Sequence, residues 1–468
     1  MIFSNYTVLK ILQVLFYIFP LSFVLGNLAI NLMVLIMIIL GIIYFKKDIY
    51  KIENNFFLLI IITFFFVILL TTYFNYFFVE SNKDAIKSLL YLRYLFLLLI
   101  IRALIINSHI NINYFLNICF LLSFFVSLDI IVQSFIGKNI LGNNIMQLMP
   151  AAVHPEYPDG VKYHTGIFGD ELIAGGFIFM FSTIGIFAIF NFFKIKKKII
   201  NIFIFSFLAL FFLSALVLAG NRMPLLMFIF FLFLFALIFK NKEKIYFFSF
   251  AIVAFASLIF MILNSESLFK RASNFIVGIP NPIIIIDELK KNYPNLKKYE
   301  NSGIQFHNLE EFKSTKNYND YSFFTGHLPI YITSIDLFLD KPLIGGGIKS
   351  YRNNCSSKVH LPNRVCENHP HNFILEILND TGLIGLILIL YIVFYLLLNN
   401  YKDYKYGDPE KSKISNWIYL AIILSISMHF FPIKSSGSFF STFNSAFIFL
   451  ILGISSGLND LKYKKRVK

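Results

Sequence analysis

Two histidines separated by one proline, His369 and His371, stand in the stretch CENHPHNFILEILNDTGLIG, directly before an apolar run. Imidazole is the side chain whose ordinary pKa, near 6.5, lets it accept a proton at neutral pH. Such a ring could deprotonate an attacking hydroxyl; the plainer role at such a boundary is a helix cap or a turn. His429, in ISMHFFP, falls near the end of another apolar run, where a structural role is expected. Arg222, in LVLAGNRMPLLMF, lies in a turn too short to float it free in solvent. A guanidinium there suits a phosphate, gripped through two parallel hydrogen bonds; the competing role is an interfacial arginine reaching lipid headgroups. Arg93 and Arg102, in YLRYLFLLLIIRALI, lie inside an apolar run, where charge is costly and needs a reason. Arg102 reads as a topology anchor near one end. Arg93 is placed to reach an anionic ligand or to pair with an acid such as Asp129.

The elements that must position these groups follow from composition. The chain has 468 residues, 57% hydrophobic and only 14% charged, with mean hydropathy +0.71; an ordinary soluble domain carries about 25% charged residues. Apolar runs long enough to cross a hydrocarbon core of about 30 Å recur from end to end. They are far longer than barrel strands, so the expected class is an all-α polytopic membrane protein in contact with membrane lipids. About twelve spans are expected, near 8–25, 28–45, 56–74, 86–106, 112–136, 170–192, 199–219, 223–240, 245–264, 372–398, 415–433 and 438–457. The first carries no small-residue cleavage site after it and reads as a retained helix. The 59 Phe accompany abundant Ile, Lys, Asn and Tyr, the usage of an AT-rich genome, so aromatic abundance argues nothing about ligands. The net charge of +15 sits in short loops between spans, with no nucleic-acid-binding pattern beside it.

Lysines follow spans two, six, eight and ten (Lys46 and Lys47, Lys196 to Lys198, Lys242 and Lys244, Lys402 and Lys405), and the tail from Lys462 to Lys468 is basic again. All fall on one face if both termini are cytoplasmic, whereas the opposite loops, such as 75–85 and 434–437, carry far fewer positive charges. This gives an N-terminal region of about nine spans over 1–264 and a large outer loop over 265–371. Three further spans occupy 372–457 and a basic cytoplasmic tail 458–468. A loop that long is usually functional; in it YITSIDLFLD has helical spacing and Gly345-Gly346-Gly347 marks a turn. Cys119 reads as packing inside span five. Cys355 and Cys366, both in the outer loop, are disulfide candidates in an oxidising compartment; the alternative is two free thiols, and no second Cys or His pair supports zinc. No DxD, HExxH, Walker or GxSxG motif occurs, so no metal or other cofactor is expected. The paired interrupted spans of many transporters are also missing.

His371-Asn372, nine residues, then Gly382-Leu-Ile-Gly385 fits the H-N-x9-G-x-x-G pattern, and here the chain resembles the O-antigen ligase family. The same superfamily includes O-antigen polymerases and oligosaccharyltransferases that modify proteins. KPLIGGGIKSYR, GNRMPLL and YHTGIFGDELIAGG resemble its layout, as does a periplasmic loop between spans nine and ten, the arrangement of GT-C-like membrane glycosyltransferases. Many relatives carry arginine near the positions of His164 and His327; histidine would bind phosphate there in a pH-dependent way, with Lys162, Lys349 or Arg352 to compensate.

The resemblance implies a multi-pass protein of a bacterial inner membrane with its active site on the periplasmic side. The donor would be a glycan on undecaprenyl pyrophosphate, the acceptor a sugar hydroxyl on lipid A–core or a growing polysaccharide. The transfer would be inverting and independent of metal or nucleotide. His371 would accept or orient the acceptor's proton, and Arg222, with Arg93, would stabilise the departing pyrophosphate. His369 is the expected neighbour of His371. Asn372 would orient His371 or cap the helix, Glu376 would back the histidine, and Gly382 and Gly385 would permit close helix packing. The competing readings are a polymerase, a protein oligosaccharyltransferase and, from a different class, a transporter.

Overall fold

The computed structural model describes residues 5–50, 55–79, 84–107, 109–142, 144, 146–148, 161–189, 198–238, 327–359, 364–406 and 415–466, together with 252, 256, 259 and 263. The apolar runs become helices: α1 (Asn5–Leu25), α2 (Asn27–Phe45), α3 (Asn55–Phe74), α4 (Ala85–Tyr91), α5 (Arg93–Ile106) and α6 (Ile112–Ile136). A short hairpin of β1 (Met146–Leu148) and β2 (Val161–Tyr163) follows, antiparallel with Gln147 opposite Lys162. Then come α7 (Ala174–Gly185), α8 (Lys198–Ala219), α9 (Arg222–Ile238), α10 (Leu328–Asp340), α11 (Ser350–Asn354), α12 (Phe373–Tyr406), α13 (Asn416–His429) and α14 (Thr442–Arg466). Among the described residues, seven helical stretches are long and apolar enough to cross a membrane, and four shorter apolar helices accompany them. The molecule is an all-α polytopic membrane protein. Expected span nine, 245–264, and the loop before His327 lie almost wholly outside the described residues.

Helix ends follow local chemistry. Asn111 caps α6 by accepting from the Asn113 amide at 3.0 Å, and Gly137 closes it in the left-handed region. The bundle packs most extensively where α14 lies along α5. Gly453 and Gly457, one turn apart, bring α14 against the Leu98 and Arg102 carbonyls of α5, where a Cβ would sit only 2.9 and 3.1 Å away. Small residues at this spacing let backbones approach and gain dispersion contacts where lipid offers no hydrophobic drive.

That seam corrects the expectation for Arg102. It is no anchor at a membrane face: it is 1% exposed and its Nε and Nη2 both meet Asp460 Oδ2 at 2.6 Å. Asp460 belongs to the continuous helix α14, so residues 458–466 extend the last helix. Arg93 is not paired with Asp129 either. Its Nη1 donates to the Leu90 carbonyl at 3.0 Å and its Nη2 to the Tyr94 hydroxyl at 2.9 Å, while Asp129 accepts from the Ile140 amide at 2.7 Å.

Helix α12 is broken inside. Gly382 has φ 65° and ψ −167°, and a Cβ there would run into the Leu343 carbonyl. The freed backbone groups are taken up by the KPLIGGG segment: Gly346 and Gly347 amides donate to the Asn379 and Asp380 carbonyls at 2.7 and 2.9 Å, and the Leu383 amide donates to the Pro342 carbonyl at 2.9 Å. Helix α3 supplies polar partners across the break, Thr72 Oγ1 accepting from the Ile348 amide at 2.9 Å and Asn75 Nδ2 donating to the Gly345 carbonyl at 3.2 Å. Irregular backbone inside an apolar helix is tolerated where the freed groups find partners in the protein. The break locks the end of the loop onto the N-terminal turns of α12.

Candidate active site

His371 occupies the residue before the cap of α12. Asn372 is the cap: its Oδ1 accepts from the Leu375 amide at 3.1 Å, and its Nδ2 donates to the Pro432 and Lys434 carbonyls at 2.7 and 3.2 Å. One side chain therefore fixes both the helix start and the turn between α13 and α14. His371 has φ 51°, a left-handed conformation costing on the order of 1–3 kcal/mol for a non-glycine residue. It is held by the Ser436 amide, which donates to the His371 carbonyl at 2.8 Å.

Three imidazoles meet here. The His371 ring lies 4.1 Å from His369 and 4.4 Å from His327, centroid to centroid. His327 precedes α10 and stacks on Tyr331 one turn later. Burial lowers the pKa of all three; His371 falls to about 4, with the neighbouring His369 and His327 adding to the effect. His327 keeps an exposed edge, yet packing around its ring still lowers it, and the Arg222 charge lowers it further while Glu367 opposes. At neutral pH the free site therefore presents neutral imidazoles able to accept a proton, with Arg222 close enough to be felt.

Arg222 opens α9 from a turn set by its neighbours. Gly220 is left-handed at φ 73°. Asn221 accepts from the Gly175 amide at 3.0 Å and donates to the Leu172 carbonyl at 3.1 Å, tying the turn to the start of α7. The segment leading into His369 is pinned as well. Cys355 and Cys366 form a disulfide with Cα atoms 5.1 Å apart, Tyr351 donates to the Val365 carbonyl at 2.9 Å, and Arg364 meets Asp336 of α10 at 2.6 Å.

Arg93, Lys349, Arg352 and His369 line one cavity of about 420 Å³. Lys349, at φ 62°, and Ser350 donate their amides to the two Asp380 oxygens at 2.7 and 3.0 Å. Glu376 does not back His371. Its oxygens accept from the Ser438 hydroxyl and the Phe439 amide, both at 2.5 Å, so it holds the α13–α14 turn. His164 follows β2, beside the Gly166 turn that Gln133 of α6 and Asn139 just beyond it hold at 2.9 and 2.7 Å. His429 bonds the Ser425 carbonyl through Nδ1 at 2.8 Å and packs on Phe179 and Phe447, the structural role expected of it.

Sequence reading passed over Lys434. It is buried, its amine 5.5 and 5.2 Å from the ring centres of Phe179 and Phe373, and burial pulls its pKa to about 7. It stands two residues before the amide that holds His371. The available signal was that Lys434 is the single charged residue in the turn 430–441.

No group of three or more His, Cys, Asp or Glu able to hold a metal ion occurs among the described residues. What the site offers is proton acceptance beside cations, the equipment for a displacement with an anionic leaving group. No curated protein matches the chain. Residues 207–390 match the family described as O-antigen ligase, and that stretch holds Arg222, His327, His369, His371 and both halves of the locked helix break. Over those residues the chain is thus similar to the O-antigen ligase family.

Proposed function

We propose that the protein is an inverting, metal-independent glycosyltransferase of a bacterial inner membrane, moving a glycan from undecaprenyl pyrophosphate to a sugar hydroxyl of lipid A–core on the periplasmic side. The observation that carries this reading is the imidazole cluster at the head of α12, with His371 neutral and the Arg222 charge felt at His327. His371 accepts the proton of the incoming hydroxyl as the new C–O bond forms at the anomeric carbon. The anomeric C–O bond to phosphate breaks, and its electron pair leaves with the pyrophosphate, whose growing charge Arg222 stabilises. The arriving pyrophosphate also raises the His371 pKa, so the ring becomes a stronger base once the donor is bound.

The test is His371→Ala in cells lacking the native gene. Lipid-linked polymer should accumulate and mature lipopolysaccharide should lose its polymer; polymer still joined to core would end the reading. A polymerase is the second reading, favoured by the shared superfamily, and it predicts a single repeat unit on the core of the deletion strain.

A further inference from the structure

The cavity beside His369 has no place in the leaving-group chemistry just described. Four cations line it: Lys87, Arg93, Lys349 and Arg352. Two carboxylates also reach its wall, but Glu376 is taken up by Ser438 and Phe439 and Asp380 by the Lys349 and Ser350 amides. Lys87 pairs with Asp84 at the rim. The remaining three cations have no ion pair among those described.

A second observation points the same way. Three lining residues each keep a buried polar atom without a hydrogen-bond partner: Asn31 Oδ1, Arg93 Nε and His369 Nε2. Orphaned buried polar atoms are rare because each costs about 1–3 kcal/mol. Three around one cavity mark a place built for a polar occupant. Its volume of about 420 Å³ falls in the range usual for small-molecule sites, and the hydroxyls of Ser438, Ser441 and Thr442 on its wall suit sugar hydroxyls.

His369 joins the two regions. It lines the cavity and its ring lies 4.1 Å from His371, whereas Arg222 acts on the cluster through His327. A displacement with inversion needs nucleophile and leaving group on opposite faces of the anomeric carbon, and His369 of the cavity and His327, which feels Arg222, each lie against the His371 ring.

We propose that this cavity is the acceptor subsite, holding an acidic sugar that bears a phosphate or a carboxylate and presenting its free hydroxyl to the imidazole cluster at His369. The assignment rests on the glycosyl-transfer reading. In the reaction the acceptor O–H loses its proton to His371, its oxygen bonds to the anomeric carbon, and the pyrophosphate departs on the Arg222 side.

The experiment uses the full chain in detergent micelles, a lipid-pyrophosphate-linked glycan, and four acceptors: a phosphorylated one and the same after phosphatase treatment, and a carboxylate-bearing one before and after reduction. The double variant Lys349→Gln with Arg352→Gln should raise the KM for the acid acceptor by about tenfold or more, the effect of losing a charge-assisted contact, with donor KM within about twofold. Removing the acid group should cost the wild type as much and the variant almost nothing. Lys349→Arg with Arg352→Lys should recover most of the loss, which separates charge from folding. The phosphate and carboxylate arms identify which acid the cavity reads. Calorimetric binding of the acid acceptor without donor gives the same contrast where turnover fails. Wild type that binds acid acceptors but transfers nothing would sink the function and leave the subsite standing. A rise in donor KM instead of acceptor KM, equal use of acid and neutral acceptors, or equal displacement by phosphatidylglycerol would overturn the subsite.

Discussion

Arg102 and Arg93 sit on the same stretch of helix, yet the bundle treats their charges in opposite ways. Arg102 is sealed among α5 and α14 and matched by Asp460 at 2.6 Å. Arg93 faces a cavity and bonds only a carbonyl and a phenol, with Nε left over. Lys434, near the histidines, has aromatic rings around its amine and no acid in any ion pair described for it. A buried cation whose charge is answered inside the fold holds helices together. Arg93, half-buried at the cavity wall, has no such acid, and on the proposal above its charge is there for an anion.

Arg102→Met removes the guanidinium that Asp460 meets at 2.6 Å and, by breaking a buried ion pair, should destabilise the protein by about 3–5 kcal/mol. Pairing it with Asp460→Leu should recover most of that, read as midpoints of thermal unfolding in micelles. Equal midpoints for wild type and Arg102→Met would remove the structural half of the contrast.

Lys434→Met should do the reverse and raise the midpoint at pH 7, by about 1–3 kcal/mol for an unpaired buried polar group. The sign follows from its protons. The folded amine titrates near 7 and the unfolded one near 10.4, so between these values the unfolded chain binds more protons. Wild-type stability therefore rises with pH from 7 to 10 through this group, and Lys434→Met should flatten that rise. A destabilising Lys434→Met would show that the amine has a partner in the fold.

The smallest effect sharpens the comparison at His327. Its pKa is lowered in the free protein, and a bound pyrophosphate would raise it, so donor affinity should strengthen as pH falls toward 6. His327→Arg places a permanent charge there and should lower donor KM at pH 8 by about tenfold while erasing the pH dependence. A pH-independent donor KM in the wild type would remove His327 from phosphate contact.

Much of this was legible in the residues. Apolar length pointed to helices, and the H-N-x9-G-x-x-G resemblance drew attention to His371 and to Gly382, which was expected only to permit close helix packing. What spacing could not convey is that Gly382 breaks α12 so that Gly346 and Gly347 can bond the Asn379 and Asp380 carbonyls, joining two separate motifs into one support. Ion-pair partners were misread for the same reason. Arg102 finds its acid 358 positions along the chain, and Glu376 turns to Ser438 and Phe439 rather than to the nearby histidine; such choices are made by tertiary packing. Lys434 escaped because one lysine in a short turn resembles a solvated one until the surrounding rings are known.

The central claim is that His371 takes the acceptor's proton while Arg222 steadies the departing pyrophosphate. It is tested most directly by steady-state kinetics of the purified protein with lipid-linked glycan and acceptor, comparing wild type, His371→Ala and Arg222→Ala. His371→Ala should lower kcat by about 10²–10⁴-fold with donor KM nearly unchanged, and Arg222→Ala should lower kcat and weaken donor binding together. A His371→Ala protein that turns over at the wild-type rate would contradict the account.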